Sequence, residues 1–139
     1  MDKRLAFHST EIPILWSQMD ANGHVGNGTY QFIFDEARMR ALEHAGFSIA
    51  QLRKDEIGPV MLKAELTYHK PVSHPDSVRI DTDFGDGNKI KGKIFQNMYR
   101  VSDGQLVCEA IFLAIFFDFK KSRPMKLPDF FVSRFSYNH

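Results

Sequence analysis

One loop in this chain gathers residue types that can do acyl chemistry. Asp20 is followed by Ala21-Asn22-Gly23-His24-Val25-Gly26-Asn27-Gly28, and a helical period begins just beyond. The glycines free the backbone, and the first N–H groups of a helix have no partners inside that helix. With the positive end of the helix dipole, those donors suit an anion or a polarised carbonyl oxygen. Asp20 stands seven residues before Asn27, near enough along the chain for its carboxylate to face the same spot. A carboxylate beside an oxyanion site is a minimal kit for acyl transfer or hydrolysis, either by attack on a carbonyl or by activating a water. The same residues also fit a plainer arrangement, in which Asp20 forms an Asx turn or caps the helix and the glycines only shape a turn.

Other residues invite the same question. Asp35 and Glu36 lie on the helix and read as surface ion-pair formers, Glu36 with Arg40 at i,i+4. Of the six histidines, His24 is best placed to take part, as a structural group or one that positions water. No H-E-x-x-H or C-x-x-C spacing occurs, so no metal is expected. Cys108 sits in the most apolar stretch, with no base to pair with it, and reads as core. Lys89, Lys91 and Lys93 alternate along one run; they form either a solvated strand face or a patch for phosphates.

The elements that position these residues follow from hydrophobic periodicity. Residues 7–16 read as a strand with Ile12, Ile14 and Trp16 on one face, and Pro13 favours a sheet edge there. From about Thr29 to Ala45 the period becomes helical, with Tyr30, Ile33, Phe34, Ala37, Ala41 and Ala45 on one stripe. Phe32, Met39 and Leu42 form a second stripe, which predicts cover on more than one side. Gly46 supplies the stop, and one more helical turn fits around Ser48–Leu52.

Beyond that the period is two. Val60 to Tyr68 and Val78 to Phe84 read as half-buried strands, and Gly85-Asp86-Gly87-Asn88 reads as a hairpin turn. Lys89 to Val101 is the next strand, and Leu106 to Phe119, apolar on both faces, belongs at the centre of the sheet. Short connections favour antiparallel pairing, so the class is α+β, with a sheet that curls around one long helix.

Composition narrows the partners. The 139 residues carry a net charge of +1 and are 43% hydrophobic, which gives no overall field for nucleic acid or anionic membrane. The single cysteine rules out an intramolecular disulfide. Residues 1–5 lack the apolar stretch of a secretory signal. The longest apolar run, Ala110 to Phe117, is about half the roughly 20 residues a membrane span needs. One cytoplasmic domain over residues 1–139 is expected.

The run Trp16-Ser17-Gln18-Met19-Asp20-Ala21-Asn22-Gly23-His24-Val25-Gly26-Asn27-Gly28-Thr29-Tyr30, continuing to Asp35-Glu36-Ala37-Arg38, resembles the 4-hydroxybenzoyl-CoA thioesterase family. Tyr68-His69-Lys70-Pro71-Val72 and Arg123-Pro124-Met125-Lys126-Leu127-Pro128 extend the resemblance along nearly the whole chain. It implies the hotdog fold, a curved five-stranded antiparallel sheet around a central helix, and hydrolysis of acyl-CoA thioesters by a homodimer or homotetramer without a cofactor.

By resemblance, Asp20 is the catalytic carboxylate, the backbone N–H of Asn27 polarises the thioester carbonyl, and His24 orders the site. Gly23, Gly28 and Tyr30 then belong to the substrate-binding loop and helix, and Lys89 and Lys91 are candidates for the coenzyme A phosphates. Two positions depart from the family pattern. Gln18 stands where a further acid is common, and Gly26 replaces the first of two asparagines. A non-catalytic acyl-CoA-binding hotdog domain and a hotdog enoyl-CoA hydratase or dehydratase are the alternatives.

Overall fold

A computed structural model describes residues 6–138; the reading of the N-terminal segment lies outside them. The elements run β1 (His8–Pro13), a 3-10 turn (Trp16–Gln18), α1 (Asn27–His44), α2 (Ile49–Asp55), β2 (Ile57–Tyr68), β3 (Ser77–Gly87), β4 (Lys91–Arg100), β5 (Leu106–Asp118), β6 (Arg123–Met125) and α3 (Asp129–Asn138). The strands form one antiparallel sheet in the order β1-β3-β4-β5-β2, with β6 beside β5.

Alternation decides which face of the sheet is wet. Val78, Ile80, Thr82 and Phe84 of β3 are buried, as are Ile94, Gln96 and Met98 of β4 and Cys108, Ala110, Phe112, Ala114 and Phe116 of β5. These rows form the concave face, and α1 lies in it, burying Tyr30, Ile33, Phe34, Ala37, Arg38, Ala41 and Leu42. The helix ends as the sequence suggests. Gly46 takes φ +98°, and the N–H groups of Gly46 and Phe47 donate to Glu43 and Leu42, a Schellman stop. The whole is the hotdog arrangement, and β1 with Pro13 lies at a sheet edge.

Several expectations need correction. To the five long strands the chain adds the short β6, and a third helix, α3, fills out the concave side. The central strand is β4, with β5 next to it. Trp16 does not join Ile12 and Ile14 in the core: the chain leaves β1 at Pro13 for the 3-10 turn, and Trp16 is 75% exposed.

The second stripe of α1 is not a buried face either. Phe32 is exposed, while Leu42 belongs to the main buried arc. Arg38 takes part in that arc because its charge is met. Its Nη1 donates to Gln96 Oε1 at 3.0 Å, Asp35 pairs with it, and the guanidinium lies 4.1 Å from the Phe112 ring centre. Desolvation pushes its pKa down to about 10.

β2 is less covered than its alternation suggests, since it is the outer strand beside β5 and a bulge between Met61 and Lys63 sets Leu62 out of register. The turn after β3 also falls later. Asn88 Oδ1 accepts from the N–H groups of Ile90 and Lys91 at 2.8 and 2.9 Å, so Gly85 to Gly87 remain strand and Lys89 sits in the turn.

Candidate active site

The Asp20 loop is held to a distant part of the chain. Val25 N–H donates to Val72 O at 2.9 Å, Ser73 Oγ donates to Gly23 O at 2.7 Å, and His74 N–H reaches Met19 Sδ at 3.1 Å. Within the loop, Asp20 N–H donates to His24 O at 2.7 Å and Gly23 N–H to Asp20 O at 3.1 Å. The turn needs φ +74° at Gly23, a conformation that suits glycine.

The carboxylate of Asp20 has two different oxygens as a result. Oδ1 accepts from Asn22 N–H at 2.9 Å and from His24 N–H at 3.4 Å, so the Asx turn of the plainer reading does form. Oδ2 lies near the start of α1: a Cβ added at Gly26 would stand 3.7 Å from Asp20 Cβ and 4.0 Å from Oδ2. The two readings of this residue are therefore compatible. Oδ1 is fixed by the loop, and Oδ2 stands beside the N-cap of α1.

Gly26 is the N-cap of α1 and offers no side-chain cap. Among the described residues the N–H groups of Asn27 and Gly28 have no hydrogen-bond partner. They are first-turn donors at the positive end of an 18-residue helix. Gly26 has φ −67° and only ordinary contacts around its missing Cβ, so the departure from the family's asparagine leaves the loop's geometry intact. Gln18 is occupied elsewhere, its Oε1 accepting from Leu15 N–H at 2.7 Å.

A cleft of about 400 Å³ opens over these groups, lined by Asp20, His24, Asn27, Tyr30, Tyr68 and Lys70 among others. Tyr68 meets Tyr30 edge to face with ring centres 5.1 Å apart, and its hydroxyl donates to Asn27 O at 3.3 Å. Burial pushes the Tyr30 phenol up to about 12 and raises that of Tyr68, so both stay protonated hydrogen-bond donors near neutrality. Lys70 Nζ donates to Gln105 Oε1 at 2.9 Å. Tyr68 and Lys70 were legible only as part of a matching run. Their place opposite the helix start depends on where β2 ends.

The structure thus brings together Asp20, Asn27, His24, Gly23, Gly28 and Tyr30. It does not bring Lys89 and Lys91 to them. The site lies at the Tyr68–Cys108–Met98 end of the sheet, and from Lys91 to Met98 the strand runs roughly 23 Å.

The rival residues have other engagements. Glu36 pairs with Arg40 at 2.9 Å, and Asp35 pairs with Arg38. His69 meets Glu109 at 2.9 Å, and His74 Nδ1 lies 2.8 Å from Ile14 O. Cys108 is fully buried, and desolvation pushes its thiol up to about 12. Iodoacetamide should therefore leave Cys108 unmodified in the folded protein and alkylate it only after denaturation, as read by mass spectrometry; rapid labelling of the native chain would contradict this placement.

Among the described residues no helix is long and apolar enough to cross a membrane. Residues 14–135 match the Thioesterase-like superfamily. The acyl-CoA thioester hydrolase YbgC of Escherichia coli O6:H1 is 25% identical over 126 residues, 89% of this chain and 92% of that protein. The long-chain acyl-CoA thioesterase FadM of Escherichia coli K12 is 25% identical over 118 residues, 85% of this chain and 89% of its own length. Among solved structures, the PA2801 protein of Pseudomonas aeruginosa superposes with a TM-score of 0.81 at 29% identity, covering 89% of this chain and 94% of that one. With its curled sheet, its central helix and a sequence match spanning both, the chain belongs to the Thioesterase-like superfamily.

Proposed function

We propose that the chain is an acyl-CoA thioesterase that uses Asp20 and the backbone at Asn27. The observation that carries this reading is the divided carboxylate: one oxygen held by the loop, the other beside the N-cap of a helix whose first donors are open. A thioester carbonyl seated on the Asn27 and Gly28 N–H groups places its carbon beside Oδ2. Asp20 then draws a proton from a water that attacks that carbon, or attacks it directly to form an anhydride that water afterwards hydrolyses. The C–S bond breaks, the coenzyme A thiolate leaves and takes up a proton, and the carboxylic acid is released. No cofactor enters this chemistry. The activities named for YbgC and FadM support the substrate class, and the Trp16–Tyr30 run supports a place in the 4-hydroxybenzoyl-CoA branch.

His24 and Tyr68 flank the bound thioester, and Lys70 is the cation in the cleft closest in kind to what a phosphate needs. Asp20 and Asn27 are exposed on the single chain, and β2 presents an open strand edge. A homodimer or homotetramer that covers both fits this geometry, in a cytoplasmic setting.

The test is thiol release from butanoyl-, octanoyl-, dodecanoyl-, hexadecanoyl- and benzoyl-CoA. Turnover of at least one, with free acid as the product, is expected. Tight binding without turnover across the panel would favour the non-catalytic domain, and hydration of an enoyl-CoA without thiol release would favour the hydratase.

A further inference from the structure

We propose that Tyr68 is a positioning residue of the oxyanion site, acting through the peptide that joins Asn27 to Gly28. This rests on the thioesterase reading and extends it to what tunes the second of the two donors. The carbonyl of Asn27 and the N–H of Gly28 belong to one planar, conjugated unit. The Tyr68 hydroxyl donates to Asn27 O at 3.3 Å, while Gly28 N–H, at the other end of the unit, is open among the described residues. A donor on the oxygen draws electron density across the amide and makes the N–H a stronger donor. In hydrogen-bond chains such polarisation adds about 10–30% per bond. The carbonyl oxygen has two lone pairs, so the helical bond from four residues on and the Tyr68 bond do not compete.

The ring is held where its hydroxyl must be. Tyr68 ends β2 opposite Cys108, and the chain just beyond is tied down, His69 and Lys70 N–H both donating to Val107 O at 2.8 and 3.3 Å. The ring itself leans edge to face on the buried Tyr30, with centres 5.1 Å apart. The bond to Asn27 O is long for two oxygens, and contacts of this kind tighten in the transition-state complex, where the added polarisation counts.

The connection that follows β2 repeats the device on the other arm of the site. Ser73 Oγ donates to Gly23 O at 2.7 Å, and the N–H of that peptide, on His24, reaches Asp20 Oδ1 at 3.4 Å. Tyr68 and Ser73 thus sit on peptide units with different duties. The first unit carries a donor for the thioester oxygen; the second holds the carboxylate. That difference makes Ser73 the control for Tyr68.

The experiment uses the full chain and the acyl-CoA that it turns over fastest. Tyr68→Phe should keep its KM and melting temperature and lose about fivefold in kcat, the scale of one hydrogen bond between neutral groups. The second measurement is the infrared carbonyl stretch of a bound ketone analogue, with CH₂ in place of the thioester sulfur and an isotope-labelled carbonyl. On the wild-type chain this stretch should fall below its value in water. Tyr68→Phe should return part of that displacement, and Ser73→Ala should leave it intact. Wild-type kcat in a folded Tyr68→Phe chain, or an unchanged displacement, would overturn the assignment. So would an equal return in Ser73→Ala, since general loosening of the loop would then suffice. In each case the thioesterase reading stands. A wild-type chain that releases thiol from no acyl-CoA would overturn that reading, and the role of Tyr68 with it.

Discussion

Asp20→Asn is expected to lower kcat about 10³-fold, with KM and melting temperature nearly unchanged. The substitution is close to a test of one atom. Asparagine keeps an oxygen at the Oδ1 position, so it still accepts the Asn22 and His24 N–H groups that shape the loop. What changes is Oδ2, which becomes an NH₂ donor at the point where a nucleophile or base must stand. A 10³-fold loss corresponds to about 4 kcal/mol of transition-state stabilisation, well above the scatter of an ordinary surface substitution. Steady-state kinetics beside a thermal melt separates the outcomes. A folded variant with kcat within a few-fold of wild type would remove Asp20 from the reaction.

The second large effect concerns a backbone atom. Asn27 is the first residue of α1, and its N–H is the donor assigned to the thioester oxygen. Proline is tolerated at the first helical position, since its missing N–H lies among those the helix leaves unpaired. The preceding residue suits it too: Gly26 is extended at φ −67° and ψ 148°, the region a residue before proline prefers. Asn27→Pro should therefore fold normally and lose about 10²–10³ in kcat, the usual cost of one oxyanion donor. Asn27→Ala is the control, because it removes the same side chain and keeps the N–H. If the two variants have equal turnover, this N–H has no part in catalysis.

Much of the fold was legible because periodicity reports burial directly. Tyr30, Ile33, Phe34, Ala37 and Ala41 of the main α1 stripe and the inner rows of β3, β4 and β5 reach the core as their spacing requires, while Ala45 caps the helix half-buried. The misreadings arise where a tertiary partner overrides the local pattern. Trp16 follows the alternation of β1 but leaves the strand at Pro13. Arg38 looks like a surface residue and becomes core through Gln96, Asp35 and Phe112.

α3 escaped notice because the run after Pro128 is short, although an acidic first residue and apolar groups at Phe131 and Phe135 mark it. In the site, spacing placed Asp20 near Asn27, but no spacing could divide the roles of the two carboxylate oxygens. Lys89 and Lys91 were legible only as an alternating basic run, and it is the register of β4 against β5 that puts Lys91 at the end of the sheet away from Asp20.

The staples of the Asp20 loop bear on how the chain comes to be active at all. Ser73 and Gly23 are 50 residues apart in sequence and His74 and Met19 are 55, so these bonds form only after long loops have closed. Closing such loops is what slows the folding of sheet proteins. α1, by contrast, can form from local contacts alone. A nascent or partly folded chain can therefore carry its helix and its aspartate while still lacking the geometry that joins them. Catalytic competence should appear late in folding, as one of the last long-range steps is completed.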